Sequence, residues 1–132
     1  MGLASHVVFE GWVDQPKLEE LYAMTDVFVI ASLYEGIPIV LMEAMGMEIP
    51  CVAPWITGIP ELIANREDGL LFAPADVRQL AACIAELQDD PALRVKLGNA
   101  ARQRILRDYD IQRNTERLAE VLHQVSETPD GR

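Results

Sequence analysis

Positive charge is scarce in this chain. It holds 11 lysines and arginines together against 21 aspartates and glutamates, for a formal net charge of -10, and its only lysines are Lys17 and Lys96. That balance excludes a general nucleic-acid binder and a surface built to sit on anionic lipid, because both need a basic field. It leaves room for a small phosphorylated ligand, which needs only a local site. Cysteine is scarce too. Cys51 opens an apolar run, Cys83 lies in a helical pattern, and no CxxC pair or Cys/His cluster accompanies them. Two buried thiols in a reducing cytosol is the simplest reading, and a cytoplasmic location is expected. The two histidines, His6 and His123, are too far apart in sequence to suggest a metal site. No apolar stretch approaches the roughly 20 residues of a membrane-spanning helix, since Glu43, Glu48 and several prolines interrupt the longest ones. Met1 to Ser5 have neither the basic start nor the apolar core of a signal peptide, and Ser5 falls one place short of a myristoylation pattern.

Half of the 132 residues are hydrophobic, enough for the core of one ordinary domain and too many for a disordered chain. His6 to Phe9 reads as a buried strand followed by a turn at Glu10-Gly11. Asp14 or Gln15 caps a helix with Pro16 in its first turn and an apolar stripe of Leu18, Leu21 and Tyr22. Val27 to Ala31 is apolar throughout, as in a strand covered on both faces. After a loop over Ser32 to Ile37, Pro38 suits the first position of a helix over Ile39 to Met47. Strands are expected at Cys51 to Ala53 and Leu70 to Phe72, with a short helix at Pro60 to Ala64 between them. Three helices follow, capped by Asp76, Asp90 and Asp110. Gly98 breaks or stops the second, and Ile111, Leu118, Val121, Leu122 and Val125 line one face of the third. The fold class is therefore α/β: a Rossmann-like parallel sheet of about four strands with flanking helices, spanning residues 1–126, with a frayed tail at 127–132. Such sheets bind ligands at the carboxyl ends of their strands.

The stretch with most chemical content lies at such an end: SLYEGIPIVLMEAMG, Ser32 to Gly46. The helix from Ile39 is apolar all round except for Glu43, so it is expected to be buried. A carboxylate there needs a partner. An arginine, a wet helix edge, or the hydroxyls of a ligand would each serve. Glu35 is either a solvated loop charge or a second ligand contact. Gly36 eases the turn between them. The first turn of the helix leaves backbone amides of Ile39 and Val40 unpaired, in a region of partial positive charge that suits a phosphate. A sugar diphospho-nucleoside has parts to match each of these groups.

Glu35 and Glu43 form an E-x7-E pair, and the pattern resembles that of retaining GT-B glycosyltransferases of the glycogen synthase and mannosyltransferase type (group 1). VFEGWV at Val8 to Val13, AMTDVFVIASLYEGIPIVLMEAM at Ala23 to Met45, and GIPELIANREDGLLFAPAD at Gly58 to Asp76 resemble three of that family's sequence blocks in their usual order. The likeness runs from about Val7 to about Tyr109. It implies the C-terminal, donor-binding domain of a two-domain enzyme. Glu35, the candidate catalytic residue, would bind donor-sugar hydroxyls. Gly36, Ile37 and Pro38 would pass close to the sugar, and the amides near Ile39 and Val40 would hold the distal phosphate. Glu43 would bind the ribose, while Gly11, Trp12 and Val13 would lie near the base. Sugar transfer from a nucleoside-diphosphate sugar to a hydroxyl acceptor would retain configuration and require no metal or other cofactor.

The sequence departs from the family in several places. The family usually carries an arginine and a lysine on an earlier strand-loop-helix unit, which has no counterpart here, and the acceptor-binding N-terminal domain has none either. The chain is therefore expected to be a piece of a longer protein, inactive alone, with any peripheral membrane contact made through the other half. In the family's sheet order two further strands would lie between Val7–Phe9 and Val27–Ala31, so strand exchange with a second copy is a route to a homo-oligomer. Ala31 stands where the family has proline, and Met47-Glu48 where it often has a small residue and glycine. Two competing readings remain: a non-enzymatic nucleotide- or protein-binding module, and half of a nucleotide-sugar epimerase.

Trp12 and Trp55 sit at strand ends, where an aromatic can stack on a base or simply pack; packing is the plainer reading. Glu61 fits the first turn of a helix on dipole grounds. Arg102, Arg104, Arg107, Arg113 and Arg117 read as solvated faces or as a seam toward the second domain.

Overall fold

The computed structural model of the protein describes residues 2–127. At its centre is a parallel sheet of β1 (Phe28–Val29), β2 (Cys51–Pro54) and β3 (Leu70–Phe72), in that spatial order. Phe28 pairs with Cys51 and Val52 with Leu70. The helices are α1 (Gln15–Ala23), α2 (Ile39–Gly46), α3 (Ile59–Leu62), α4 (Val77–Asp89), α5 (Pro91–Asp108) and α6 (Ile111–Glu127). This is the expected α/β, Rossmann-like arrangement.

Acidic caps start the helices where the sequence places them. Asp14 accepts from the Lys17 amide, Asp76 from those of Arg78 and Gln79, Asp90 from Leu93, and Asp110 from Arg113. Each carboxylate satisfies an otherwise orphaned amide and complements the helix dipole.

All four residues of β2 are buried, which accounts for its unbroken apolar sequence. The pleat sends them alternately to two cores. Cys51 and Ala53 join Tyr22, Leu41, Met45, Ile59 and Leu62 on one side; Val52 joins Leu70, Phe72, Leu87 and Leu97 on the other. α5 serves both cores, through Ala101 and Leu97.

Several expectations fail, each for a physical reason. Residues 6–9 form no strand. A single 3-10 turn covers Ala4–His6, and Val8 and Phe9 are 79% and 93% exposed, because no neighbouring strand among the described residues offers them backbone partners. The sheet accordingly has three strands. β1 is covered on one face only. Phe28 packs under Tyr22, whereas α4 lies over β2 and β3 and leaves Val29 exposed.

Gly98 does not interrupt α5, which runs through it. A side chain there would overlap the Glu48 carbonyl oxygen, so the glycine marks a close helix crossing. Glu48 itself, just past the C-cap of α2, has φ 63°, the left-handed conformation that glycine adopts at least cost.

Arg104 is no solvated charge. It pairs with Asp68, a carboxylate 5% exposed that also accepts from the Ala64 amide, and so ties α5 to the loop before β3. Arg102 donates to the Gly46 carbonyl at the end of α2. The apolar face of α6, including Ile111, Leu118 and Val125, is exposed. Of the expected tail, Glu127 ends α6 and residues 128–132 lie outside the described residues. No helix among the described residues is long and apolar enough to cross a membrane.

Candidate functional site

The carboxyl ends of β1 and β2 lead into two loops, residues 32–38 and 55–58, that are stitched together. The Ser32 hydroxyl donates to Glu35 Oε1 at 2.6 Å, fixing the carboxylate against its own loop. The Thr57 hydroxyl donates to the Glu35 carbonyl oxygen. Gly58 lies directly under Gly36: a Cβ on Gly58 would stand 2.6 Å from the Gly36 carbonyl oxygen. Thr57 adopts φ 37°, an unfavourable region for a β-branched residue, and its hydrogen bond to the neighbouring loop helps hold it there.

α2 begins directly after this pair of loops. Pro38 is its N-cap, one place earlier than the sequence suggested, with extended backbone and no side-chain cap. The Pro38 carbonyl accepts from the Leu41 and Met42 amides at 3.1 and 3.2 Å. Among the described residues, the amides of Ile39 and Val40 have no such acceptor, and both side chains are exposed. The helix therefore presents free N–H groups and the positive end of its dipole to solvent, beside Glu35.

The helix is not buried all round. Leu41, Ala44 and Met45 face the core, and Glu43 is half-buried on the side facing α1. Its partner is neither an arginine nor bulk water alone: the Tyr22 hydroxyl donates to Glu43 Oε2 at 3.0 Å and lies 3.2 Å from the Val40 carbonyl oxygen. Burial, and then the adjoining Glu43 carboxylate, push the Tyr22 phenol well above its ordinary pKa, so it stays a donor through the physiological range. A pocket of about 390 Å³ opens beside this pair, lined by Gln15, Glu19, Tyr22, Glu43 and Met47.

Gly36, Ile37, Ile39 and Val40 are exposed around the start of α2, with Glu35 half-buried before it, Pro38 buried and Glu43 half-buried one turn further on. Gly11, Trp12 and Val13 belong to the segment that leads into α1. Gly11 has φ 69°, and no hydrogen bond or ring contact among the described residues joins the three to α2. Trp12 is 89% exposed, which excludes the packing reading for it within this chain; Trp55 is exposed as well. Glu61 stands in the first turn of α3, as expected. No three His, Cys, Asp or Glu side chains gather at one place among the described residues.

Sequence reasoning missed Tyr22, Ser32 and Thr57. Tyr22 had a legible signal: a phenol within an apolar stripe must find an acceptor, and Glu43 is the only charge on α2. The other two contacts join residues that only the folded loops bring together.

The sequence matches the family described as Glycosyl transferases group 1 over residues 1–104. It is 36% identical over 113 residues to a glycogen synthase from Mycobacterium tuberculosis, a match covering 86% of this chain and 27% of the relative. Among solved structures, a sucrose-phosphate synthase from Thermosynechococcus elongatus superposes with a TM-score of 0.85 at 29% identity, over 93% of this chain and 31% of that one. The Anabaena protein HepE, in complex with UDP-glucose, gives a TM-score of 0.84 at 26% identity, over 93% of this chain and 34% of that one. The chain thus spans about a third or less of the length of each of these proteins.

Proposed function

This chain belongs to the group 1 glycosyl transferases, and we propose that it is the donor-binding part of an enzyme moving a sugar from a nucleoside-diphosphate sugar to a hydroxyl acceptor. The observation that carries this reading is the uncapped amino end of α2, set between two carboxylates held in place by hydrogen bonds. The amides of Ile39 and Val40 suit the distal phosphate, which gains from both direct N–H bonds and the helix dipole. Glu35, with Gly36, Ile37 and Pro38, suits the donor sugar's hydroxyls. Glu43 suits the ribose, and the Gly11 to Val13 segment the base. The UDP-glucose bound by the Anabaena relative is a ligand of this class.

The family pattern supports transfer with retention and without a resident metal, and the two unpaired cysteines, Cys51 and Cys83, support a cytoplasmic setting. Catalysis also requires charge stabilisation on the departing diphosphate. The loops over residues 32–38 and 55–58 contain no lysine or arginine, so the helix end is the only source of positive potential they supply. The chain alone therefore binds donor weakly and does not turn it over; the acceptor-binding site and the further cations come from the remainder of the enzyme.

Saturation-transfer NMR with UDP-glucose, GDP-mannose and ADP-glucose tests this. Saturation of the ribose and sugar protons of one donor, with no hydrolysis, is the expected result. Absence of saturation for all three would overturn the reading.

A further inference from the structure

We propose that Tyr22 is a positioning residue for Glu43: its hydroxyl holds Oε2 so that Oε1 remains free to accept from the ribose hydroxyls of a bound nucleoside diphosphate. The proposal rests on the ribose-binding role of Glu43 given above.

A buried phenol needs only one acceptor, and the Val40 carbonyl, 3.2 Å away, would meet that need by itself. The closer partner is instead the Glu43 carboxylate at 3.0 Å. A half-exposed glutamate otherwise spreads over many rotamers, and ordering it costs a ligand affinity. One charge-assisted hydrogen bond from a fixed donor selects a single rotamer in advance. Tyr22 is such a donor, because its ring is 5% exposed and packed on Phe28 with centroids 6.1 Å apart.

The choice of tyrosine matters. An arginine would present several N–H groups, engage both carboxylate oxygens and neutralise the charge. A phenol has one proton to give. Among the described residues no other hydrogen bond reaches the Glu43 carboxylate, so Oε1 and the negative charge both stay available. The pocket shared by Gln15, Glu19, Tyr22, Glu43 and Met47 adjoins the carboxylate and gives a ligand access to it.

The test is to titrate UDP, GDP and ADP, and their 2′,3′-dideoxy counterparts, into the wild-type chain, Tyr22→Phe and Glu43→Gln. For the base it binds, the wild type should prefer the ribonucleotide by roughly ten-fold, the scale of one hydrogen bond to a charged group. Tyr22→Phe keeps the ring packing and should reduce that preference to roughly two-fold, with dideoxynucleotide affinity unchanged, a split that general loosening of the fold would not produce. A second readout needs no variant: the Tyr22 hydroxyl proton in the wild type should shift on adding the ribonucleotide and not the dideoxynucleotide. A ribose preference kept in full by Tyr22→Phe, or a Tyr22 hydroxyl proton indifferent to the ribose, would overturn the role of Tyr22 and leave Glu43 standing. A wild type that binds nucleotide without any ribose preference would overturn the reading of Glu43, and Tyr22's role with it. A wild type that binds no nucleotide would overturn the donor site and the proposal together.

Discussion

Two short apolar stretches of this chain, His6–Phe9 and Cys51–Pro54, meet opposite fates. Both read as strands in the sequence, the second as Cys51 to Ala53. Cys51, Val52 and Ala53 are wholly buried, with ladder partners on either side; Val8 and Phe9 lie almost entirely in solvent. Apolar content is similar in the two, so it does not decide the outcome. What differs is the surroundings. β2 receives backbone hydrogen bonds from two strands and is covered by helices on both faces, while residues 6–9 meet neither. Hydrophobicity proposes a strand, and neighbours that satisfy its amides and carbonyls make one.

The comparison breaks most sharply at the helix crossing that roofs the packed half. Gly98→Ala sets a methyl group against the Glu48 carbonyl and should cost about 3 kcal/mol in urea denaturation, at the upper end for overpacking. Asp68→Ala removes the partner of Arg104 and the acceptor for the Ala64 amide. It should cost about 2 kcal/mol by the same measurement, the partial exposure of Arg104 keeping the loss below that of a fully buried pair. Glu48→Gly relieves a left-handed φ of 63° and should raise stability by about 1 kcal/mol. The exposed ion contact of Glu48 with Arg102, at 3.5 Å, offsets little of that gain. Phe9→Ser lies at the other extreme and should change stability by less than about 0.5 kcal/mol. A large loss there would mean that the amino-terminal segment packs after all.

Thiol chemistry separates buried from half-buried positions without mutation. Burial raises both thiols above the ordinary cysteine pKa, Cys51 far more than Cys83. Because the thiolate is the reactive form, iodoacetamide near pH 8 should modify Cys83 slowly and Cys51 only on unfolding. The Cys83 rate should climb as pH rises toward its raised pKa. Equal rates would contradict the burial of β2.

Much of the molecule was legible because its cues are local. The Asp caps, Pro91 at the start of α5 and the apolar runs of β2 and β3 each carry their meaning within a few residues. The unbroken stretch from Glu35 to Glu43 did so for the candidate site. What stayed hidden depends on contacts between distant segments. Gly98 looks like a helix stop until Glu48, 50 residues earlier, is placed against it. Arg104 looks solvated until Asp68 is folded beneath it, and α2 looks buried all round until Ile39 and Val40 in its first turn prove exposed. Tyr22 falls between these cases, since its stripe was visible and its acceptor was not.

The account stands on the uncapped amino end of α2 as a phosphate seat. The most direct test is an amide NMR titration of the chain with UDP, GDP and ADP, beside a Glu43→Ala variant. Selective shifts at Gly36, Ile39 and Val40 with one nucleotide, weakened in the variant, are predicted. A well-dispersed spectrum in which those three amides do not respond to any of the nucleotides would contradict it.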